Sequence, residues 1–232
     1  MNLSMLTTIK GKLVVSCQAL DDEPLHSDFI MSRMALAAMQ GGAVGIRANS
    51  AADVQAIRAA VPLPVIGIIK CDYPDSEVYI TATLTEVDAL MRVGPQMIAL
   101  DATLHRRPGP LQLDALIEAI RVKYPSLLLM ADIACTEEAV NAQRLGFDCI
   151  GTTLHGYTRE TQGCKLWHDD FSFLRQVLAL CTIPVIAEGN VDTPAMAARC
   201  LSLGAHAVVV GGAITRPQQI TQRFTDAIDN LC

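Results

Sequence analysis

Eight short apolar segments alternate with helix-like segments from one end of this chain to the other. The apolar segments are rich in β-branched residues and are apolar on both faces, as strands buried inside a parallel sheet are. The segments between them are amphipathic, as at 50–61 and 136–146, where Ser50 and Thr136 are candidate helix N-caps. Strict alternation of this kind predicts an α/β fold. The eight predicted strands are residues 13–18, 44–48, 64–70, 97–103, 127–134, 149–155, 184–190 and 207–213.

A repeat with a period of two strands helps to choose between the possible α/β folds. The helix-like segments before the even-numbered strands end in a glycine that can close a helix in the left-handed conformation, and three odd-numbered strands follow a proline. Such a repeat favours a closed eight-stranded barrel over an open doubly wound sheet, whose dinucleotide and P-loop glycine motifs are absent from the sequence. We therefore predict a single (β/α)8 TIM barrel over residues 1–232, with its active site at the carboxyl ends of the strands and a short helix within 1–12 closing the bottom. The glycines that end these helices are Gly42, Gly94, Gly146 and Gly204, and the prolines that precede strands are Pro64, Pro125 and Pro184.

The composition argues against several classes of protein. Hydrophobic residues make up 51% of the 232 residues and charged ones 18%, which is enough for a large core. A net charge of −6 argues against binding nucleic acid through a broad basic surface, although a local positive pocket could still hold a phosphorylated metabolite. We expect neither a membrane span nor a secretory signal. The eight cysteines form no C-x-x-C pair, so we expect reduced thiols in a cytoplasmic protein.

Polar residues stand at the ends of the predicted strands, where barrel enzymes place their chemistry. Lys70 is the sharpest candidate, because burial at the end of an apolar run favours the neutral amine, a base near neutral pH. A nearby carboxylate would favour the ammonium instead, and a structural lysine–carboxylate bridge is the alternative. Arg47 could bind a phosphate or carboxylate, or pair with an acidic neighbour, and Gln18 could meet a ligand or make a core hydrogen bond. The full set is Gln18, Arg47, Lys70, Asp101, Asp132, Thr152, Thr153, Glu188 and Asn190.

Two glycine turns follow the last two predicted strands, at Gly189–Asn190 and at Gly211–Gly212. Paired glycine turns at this point of a barrel are a recurrent phosphate site, because bare backbone N–H groups can approach an anion. Arg216 stands beside the second turn and favours the same ligand. His155 is the histidine best placed to meet a ligand, and no spaced set of metal-binding side chains occurs. The C-terminal quarter of the sequence therefore indicates a barrel enzyme that acts on a small phosphorylated substrate.

The order of these segments resembles that of the N-acetylmannosamine-6-phosphate 2-epimerase family. The most specific block is GIIKCDYPDSEVYIT at 67–81, which contains Lys70. The sequence departs from the family pattern at Ala82, Cys135, His155 and Gly212, and Gly212 lacks the hydroxyl with which a serine there often binds phosphate. The matching blocks are residues 16–19, 45–49, 67–81, 98–108, 130–139, 151–158, 184–194 and 207–217.

The resemblance implies a cofactor-free interconversion of N-acetylmannosamine 6-phosphate and N-acetylglucosamine 6-phosphate, a step in sialic acid and N-acetylmannosamine catabolism. It implies that Lys70 transfers the C2 proton and that Glu188 is its carboxylate partner. It further implies that no metal is bound, and we expect a homodimer because many barrels of this size associate. The implied sugar-binding residues are Gln18, Arg47, Asp132 and Thr153, and the implied phosphate-binding residues are Gly189, Asn190, Gly211, Gly212 and Arg216.

Two other kinds of barrel remain as alternatives. One is another phosphosugar enzyme, either a pentose-phosphate 3-epimerase, whose usual metal-binding histidines at strand ends are missing here, or an aldolase that forms a Schiff base on Lys70. The other is a non-catalytic barrel that binds phosphosugars, which would need the glycine turns but not Lys70 and Glu188 together.

Overall fold

Eight parallel strands close into a barrel in chain order, and the last strand pairs with the first. The structure is a computed structural model that describes residues 4–231. The predicted (β/α)8 TIM barrel is therefore confirmed, and each predicted strand overlaps an observed one. The strands are β1 Leu13–Cys17, β2 Gly45–Asn49, β3 Val65–Ile68, β4 Met97–Asp101, β5 Leu128–Asp132, β6 Cys149–Gly151, β7 Val185–Ala187 and β8 Ala207–Val210.

Helices follow every strand of the barrel, and one short helix precedes it. Strand-to-helix alternation places all the strand-to-helix loops at the carboxyl end of the barrel, the end that carries the candidate site. The helices are α1 Met5–Ile9, α2 Asp28–Gln40, α3 Ala51–Ala60, α4 Leu84–Val93, α5 Leu113–Lys123, α6 Thr136–Arg144, α7 His168–Leu180, α8 Pro194–Ser202, α9 Gly212–Thr215 and α10 Pro217–Asp229.

One of the two predicted helix caps is confirmed and the other is wrong. The Asp53 N–H donates to the Ser50 hydroxyl at 3.0 Å, so Ser50 caps α3. Thr136 is instead the first helical residue of α6, and the N-cap is Cys135, whose backbone is extended. The reason lies in Glu138, whose carboxylate accepts from the Ala134 N–H at 2.7 Å and the Cys135 N–H at 3.1 Å. These bonds satisfy backbone donors at the helix start without a hydroxyl cap.

The glycines before the even-numbered strands adopt the predicted left-handed backbone. Their φ angles are 98° at Gly42, 64° at Gly94, 80° at Gly146 and 108° at Gly204. Each glycine ends a helix and turns the chain into the next strand, a geometry that costs a residue with a Cβ more than it costs glycine.

Side chains alternate between two cores along each strand, as the period of two requires. In β3, Val65 packs outward under the helices, whereas Ile66 and Ile68 fill the barrel interior. Met5 and Ile9 of α1 are buried in the same interior cluster, and His206 shares a 2.7 Å hydrogen bond with the Leu6 carbonyl. The expected short helix near the N-terminus is thus present, and it closes the bottom of the barrel.

The last long helix is packed differently from the others. No residue of α10 is buried, although its apolar and polar residues fall on opposite faces. Phe224 is 68% exposed and Ile228 is 62% exposed. The apolar face of α10 is therefore uncovered in the isolated chain. Among residues 4–231 there is no helix that is both long enough and apolar enough to cross a membrane.

Candidate active site

The strand periodicity carries polar side chains into the mouth of the barrel. Residues two positions beyond an inward-facing apolar residue also face the barrel axis, so Ile68 is followed by Lys70 and Ile186 by Glu188. The same step leads along β5 from Met130 to Asp132. The interior is therefore apolar below and charged at its upper end.

One cavity at the carboxyl end of the barrel brings nearly all the predicted residues together. Three of the predicted strand-end residues, Asp101, Asp132 and Thr152, do not line it, because they are buried beneath its wall. Ser16, Tyr79 and Tyr157 line the cavity as well. The predicted residues on its wall are Gln18, Arg47, Lys70, Thr153, Glu188, Gly189, Asn190, Gly211, Gly212 and Arg216.

A buried guanidinium links two carboxylates at the base of this cavity. Arg47 is 1% exposed, and its Nη2 and Nη1 donate to the two carboxylate oxygens of Asp132 at 2.5 and 3.0 Å. The same Nη1 donates to Glu188 Oε2 at 3.0 Å, and the Thr153 hydroxyl donates to Asp132 Oδ1 at 2.7 Å. Asp132 therefore does not line the cavity, and its hydrogen bonds position Arg47 and Thr153, which do.

Burial and charge set the protonation of these groups. Burial alone would lower the pKa of the Arg47 guanidinium, but the charges of Asp132 and Glu188 outweigh it and raise that pKa. Burial raises the pKa of the Glu188 carboxyl, and the Arg47 charge limits the rise. Arg47 is thus a fixed cation, while Glu188 can hold or release a proton closer to neutral pH than an ordinary glutamate.

Lys70 is held by its backbone and leaves its amine free. The backbone N–H of Lys70 donates to Asn49 Oδ1 at 2.8 Å. The backbone of Lys70 also forms an antiparallel bridge with Ile80 in the loop after β3. Within residues 4–231 the amine has neither a hydrogen-bond partner nor an ion-pair partner. Burial lowers the pKa of the Lys70 amine to about 8, helped by the charges of Arg47 and Arg216 and opposed by Glu188 and Asp132. With this pKa about a tenth of the amine is neutral at pH 7 and about half at pH 8.

The two glycine turns lie beside each other on the cavity wall. Gly189 has a φ of 100°, and a Cβ there would lie 3.2 Å from the carbonyls of Thr152 and Thr153. Asn190 follows with a φ of 53°, its Oδ1 accepts from Lys165 Nζ at 2.9 Å, and its Nδ2 is buried without a partner among the described residues. A Cβ on Gly212 would lie 2.4 Å from Gln219 Oε1, so Gln219 occupies the space that a serine side chain would need.

The family model described as "Putative N-acetylmannosamine-6-phosphate epimerase" matches residues 31–230. This match covers most of the barrel and both glycine turns. The chain belongs to this epimerase family.

Curated proteins and a solved structure agree with this membership. A protein of Enterobacter sp. (strain 638), named "Putative N-acetylmannosamine-6-phosphate 2-epimerase", is 66% identical over 97% of this chain and 96% of its own length. A protein of the same name from Shouchella clausii (strain KSM-K16) is 58% identical over 97% of this chain and 99% of its own length. The N-acetylmannosamine-6-phosphate 2-epimerase from Clostridium perfringens, a solved structure, is 51% identical and superposes with a TM-score of 0.93, covering 98% of this chain and 97% of that one.

A more distant neighbour shares the fold alone. The thiamine phosphate pyrophosphorylase from Pyrococcus furiosus superposes with a TM-score of 0.59 at 19% identity, covering 91% of this chain and 89% of that chain. The epimerase family therefore uses a barrel architecture that other proteins also use, and its chemistry depends on the side chains at the mouth.

Several residues at this cavity carry no signal in the strand pattern of the sequence. Tyr79 and Tyr157 line the cavity from loops after β3 and β6, Lys165 binds Asn190, and Glu23 binds Arg216. Tyr79 lies inside the specific block at 67–81, which could have drawn attention to it. Lys165 and Glu23 reach the site from loops that no strand periodicity describes.

His155 does not line the cavity. Its ring stacks on Phe173 at a centroid distance of 3.9 Å, and its Nδ1 lies 2.9 Å from the Ala134 carbonyl. Burial lowers the pKa of this histidine, which favours the neutral ring. His155 thus packs the loop after β6 against α7. Within residues 4–231 no group of three or more His, Cys, Asp or Glu side chains is arranged to hold a metal ion.

Proposed function

We propose that this chain is an isomerase that interconverts N-acetylmannosamine 6-phosphate and N-acetylglucosamine 6-phosphate without a cofactor, in the breakdown of sialic acid and N-acetylmannosamine. The observation that carries the proposal is the Lys70 amine, which has no partner within residues 4–231 and shares one cavity with a buried Arg47–Glu188 pair and two glycine turns. The names of the relatives specify the same substrate.

The reaction inverts C2, the carbon next to the C1 carbonyl of the open-chain sugar. Neutral Lys70 removes the C2 proton, the electrons of the C–H bond move toward C1, and the C1 oxygen takes the negative charge of an enolate. Return of a proton to the opposite face of C2 gives the epimer. A base whose pKa is about 8 suits this step near neutral pH, because proton transfer is most efficient when the pKa lies near the working pH.

Stabilisation of the enolate requires donors aimed at the C1 oxygen. Arg47 is a permanent cation on the cavity wall, and Gln18 has an amide donor whose Nε2 lies 2.6 Å from the Ser16 hydroxyl. We assign Arg47 and Gln18 to the carbonyl and acetamido oxygens, with the Thr153 hydroxyl nearby. Glu188 would bind sugar hydroxyls or steer the proton. Asp132 would position Arg47 and Thr153 without touching the sugar.

The 6-phosphate would lie against the two glycine turns. Backbone N–H groups of Gly189, Asn190, Gly211 and Gly212 can approach an anion because no Cβ blocks the glycine positions. Arg216 adds a positive charge at the edge of the cavity. Gly212 supplies no hydroxyl, so the phosphate contacts of the second turn would come from the backbone.

We expect kcat/KM to rise with pH and to be half-maximal near pH 8. The base must be neutral, so below the pKa of Lys70 each unit of pH should cost about tenfold in kcat/KM, and above it the rate should level off. Initial rates between pH 6.5 and 9.5 would measure this limb, since the phosphate is already mostly doubly ionised there. A profile that is flat between pH 7 and 9 would exclude an amine of this pKa as the base.

Proton NMR of the protein with N-acetylmannosamine 6-phosphate in D₂O tests the proposed reaction. We expect N-acetylglucosamine 6-phosphate with deuterium at C2, without added metal or nucleotide. Cleavage of the carbon chain, together with an adduct on Lys70 trapped by borohydride, would indicate an aldolase instead. Tight binding of the sugar phosphate without turnover would indicate a binding protein.

We also propose a homodimer in the cytoplasm. The support for the dimer is the uncovered apolar face of α10, because monomers rarely leave such a face exposed. The support for the compartment is that Cys17, Cys71, Cys135, Cys149, Cys164, Cys181 and Cys200 are all unpaired within the described range.

A further inference from the structure

Glu23 makes a two-point ion pair with Arg216 at the edge of the cavity. Arg216 Nε donates to Glu23 Oε1 at 2.7 Å, and Arg216 Nη2 donates to Glu23 Oε2 at 3.1 Å. Glu23 lies in the loop between β1 and α2, and Arg216 lies between α9 and α10. The mechanism proposed above uses Arg216 for the phosphate and leaves Glu23 without a role.

The ion pair leaves one edge of the guanidinium open. An arginine side chain has five N–H donors in a planar fork, and Glu23 takes the edge formed by Nε and Nη2. The edge formed by Nη1 and the second Nη2 hydrogen has no partner among residues 4–231. Arg216 lines the cavity together with Gly211 and Gly212. An open guanidinium edge of this kind matches two oxygens of a phosphate.

Both partners are attached to fixed backbone. The Glu23 carboxylate also accepts from the Leu20 N–H at 2.7 Å, so its own loop orients it. On the other side, the Thr215 hydroxyl donates to the Ser16 carbonyl at 2.7 Å, and Pro217 restricts the backbone of Arg216. Burial would raise the pKa of Glu23, but hydrogen bonds from Arg216 and Leu20 outweigh it and lower that pKa. The carboxylate is therefore ionised at neutral pH.

We propose that Glu23 is a positioning residue that holds Arg216 with its open edge toward the 6-phosphate of the substrate. The inference rests on the proposed function, because it assigns the phosphate to Arg216. Glu23 itself does not contact the substrate, and its negative charge disfavours an anion nearby. Removal of the Glu23 carboxylate distinguishes two roles. Phosphate binding weakens if Glu23 orients Arg216, and it tightens if Glu23 merely competes with the phosphate for Arg216.

The test compares wild type with Glu23→Gln, Glu23→Ala, Arg216→Ala and the double variant Glu23→Gln/Arg216→Ala. Asp22→Asn is the matched control, because Asp22 is the exposed neighbour in the same loop and loses the same charge. Each variant is assayed for kcat and KM with N-acetylmannosamine 6-phosphate. Calorimetry with inorganic phosphate measures the phosphate site separately from the sugar site and from turnover.

We expect Glu23→Gln to raise both KM and the Kd for phosphate about tenfold, the size of one charge-assisted hydrogen bond, with kcat changed less than about twofold. Asp22→Asn should match wild type, and Glu23→Gln should add nothing in the Arg216→Ala background, because it acts through Arg216. A lower KM, an unchanged KM, or fully multiplicative effects in the double variant would overturn the proposal. If the wild type fails to turn over the sugar phosphate, the proposed function fails, while the phosphate Kd values still decide the role of Glu23.

Discussion

Replacing Lys70 with alanine is expected to slow epimerisation by about 10²- to 10⁴-fold, the range that a positioned proton-transfer group contributes. Lys70 is the amine that faces the cavity with a lowered pKa and no ion-pair partner within the described range. Because the amine makes no hydrogen bond there, its removal should leave the Arg47–Asp132–Glu188 contacts and the folded state intact. KM should change little, since the phosphate turns and Gln18 remain in place.

The measurement is the NMR assay in D₂O with wild type and Lys70→Ala at equal concentration. Lys123→Ala is the control, because Lys123 is an exposed lysine whose amine pairs with Asp88 on the outside of the barrel. The control should exchange and invert C2 at the wild-type rate. A Lys70→Ala variant that keeps more than about a tenth of the wild-type rate would assign the proton transfer to another group.

Replacing Arg47 with methionine is expected to cost about 3 to 5 kcal/mol of the free energy of unfolding and to remove most activity. The loss is large because methionine leaves the carboxylates of Asp132 and Glu188 close together in a buried site without their cation. Urea unfolding at pH 7 measures the stability. The pH must be stated, because burial raises the pKa of Glu188 and its protonation at lower pH would relieve part of the cost.

Arg159→Met is the matched control for this substitution. Arg159 forms exposed ion pairs with Glu160 at 3.1 Å and with Glu77 at 3.9 Å, and exposed pairs contribute little to stability. We expect its midpoint in urea to stay close to that of wild type. An Arg47→Met variant as stable as Arg159→Met would show that the buried cluster tolerates the loss of its cation.

The fold and the central side chains were accessible from the sequence because they follow strand periodicity. The step of two residues from an apolar interior position leads directly to Lys70 and Glu188, and the same rule brings Arg47 and Asp132 to the axis. What periodicity does not show is which polar group faces the cavity and which lies behind it. Asp132 carries the same signal as Glu188, yet hydrogen bonds from Arg47 and Thr153 hold it out of reach.

The residues that were missed depend on contacts between distant loops. Glu23 and Arg216 are separated by 193 positions, and only closure of the barrel between β8 and β1 brings them together. Thr136 failed as a cap for a local reason, because the carboxylate of Glu138 already satisfies the backbone at the start of α6. His155 follows β6 at the correct end of the barrel, but its ring packs on Phe173.

The closed floor of the barrel limits how Lys70 can exchange its proton with water. Below the site the interior is filled by Ile66, Met97, Met130 and Ile186, all fully buried, and α1 seals the lower end. Solvent can therefore reach the Lys70 amine only through the mouth, which a bound sugar phosphate would itself cover. The fraction of product that keeps the hydrogen originally on C2 therefore reports a ratio of two rates. One is the rate at which the enolate is reprotonated, and the other is the rate at which the Lys70 proton exchanges with water past the bound substrate.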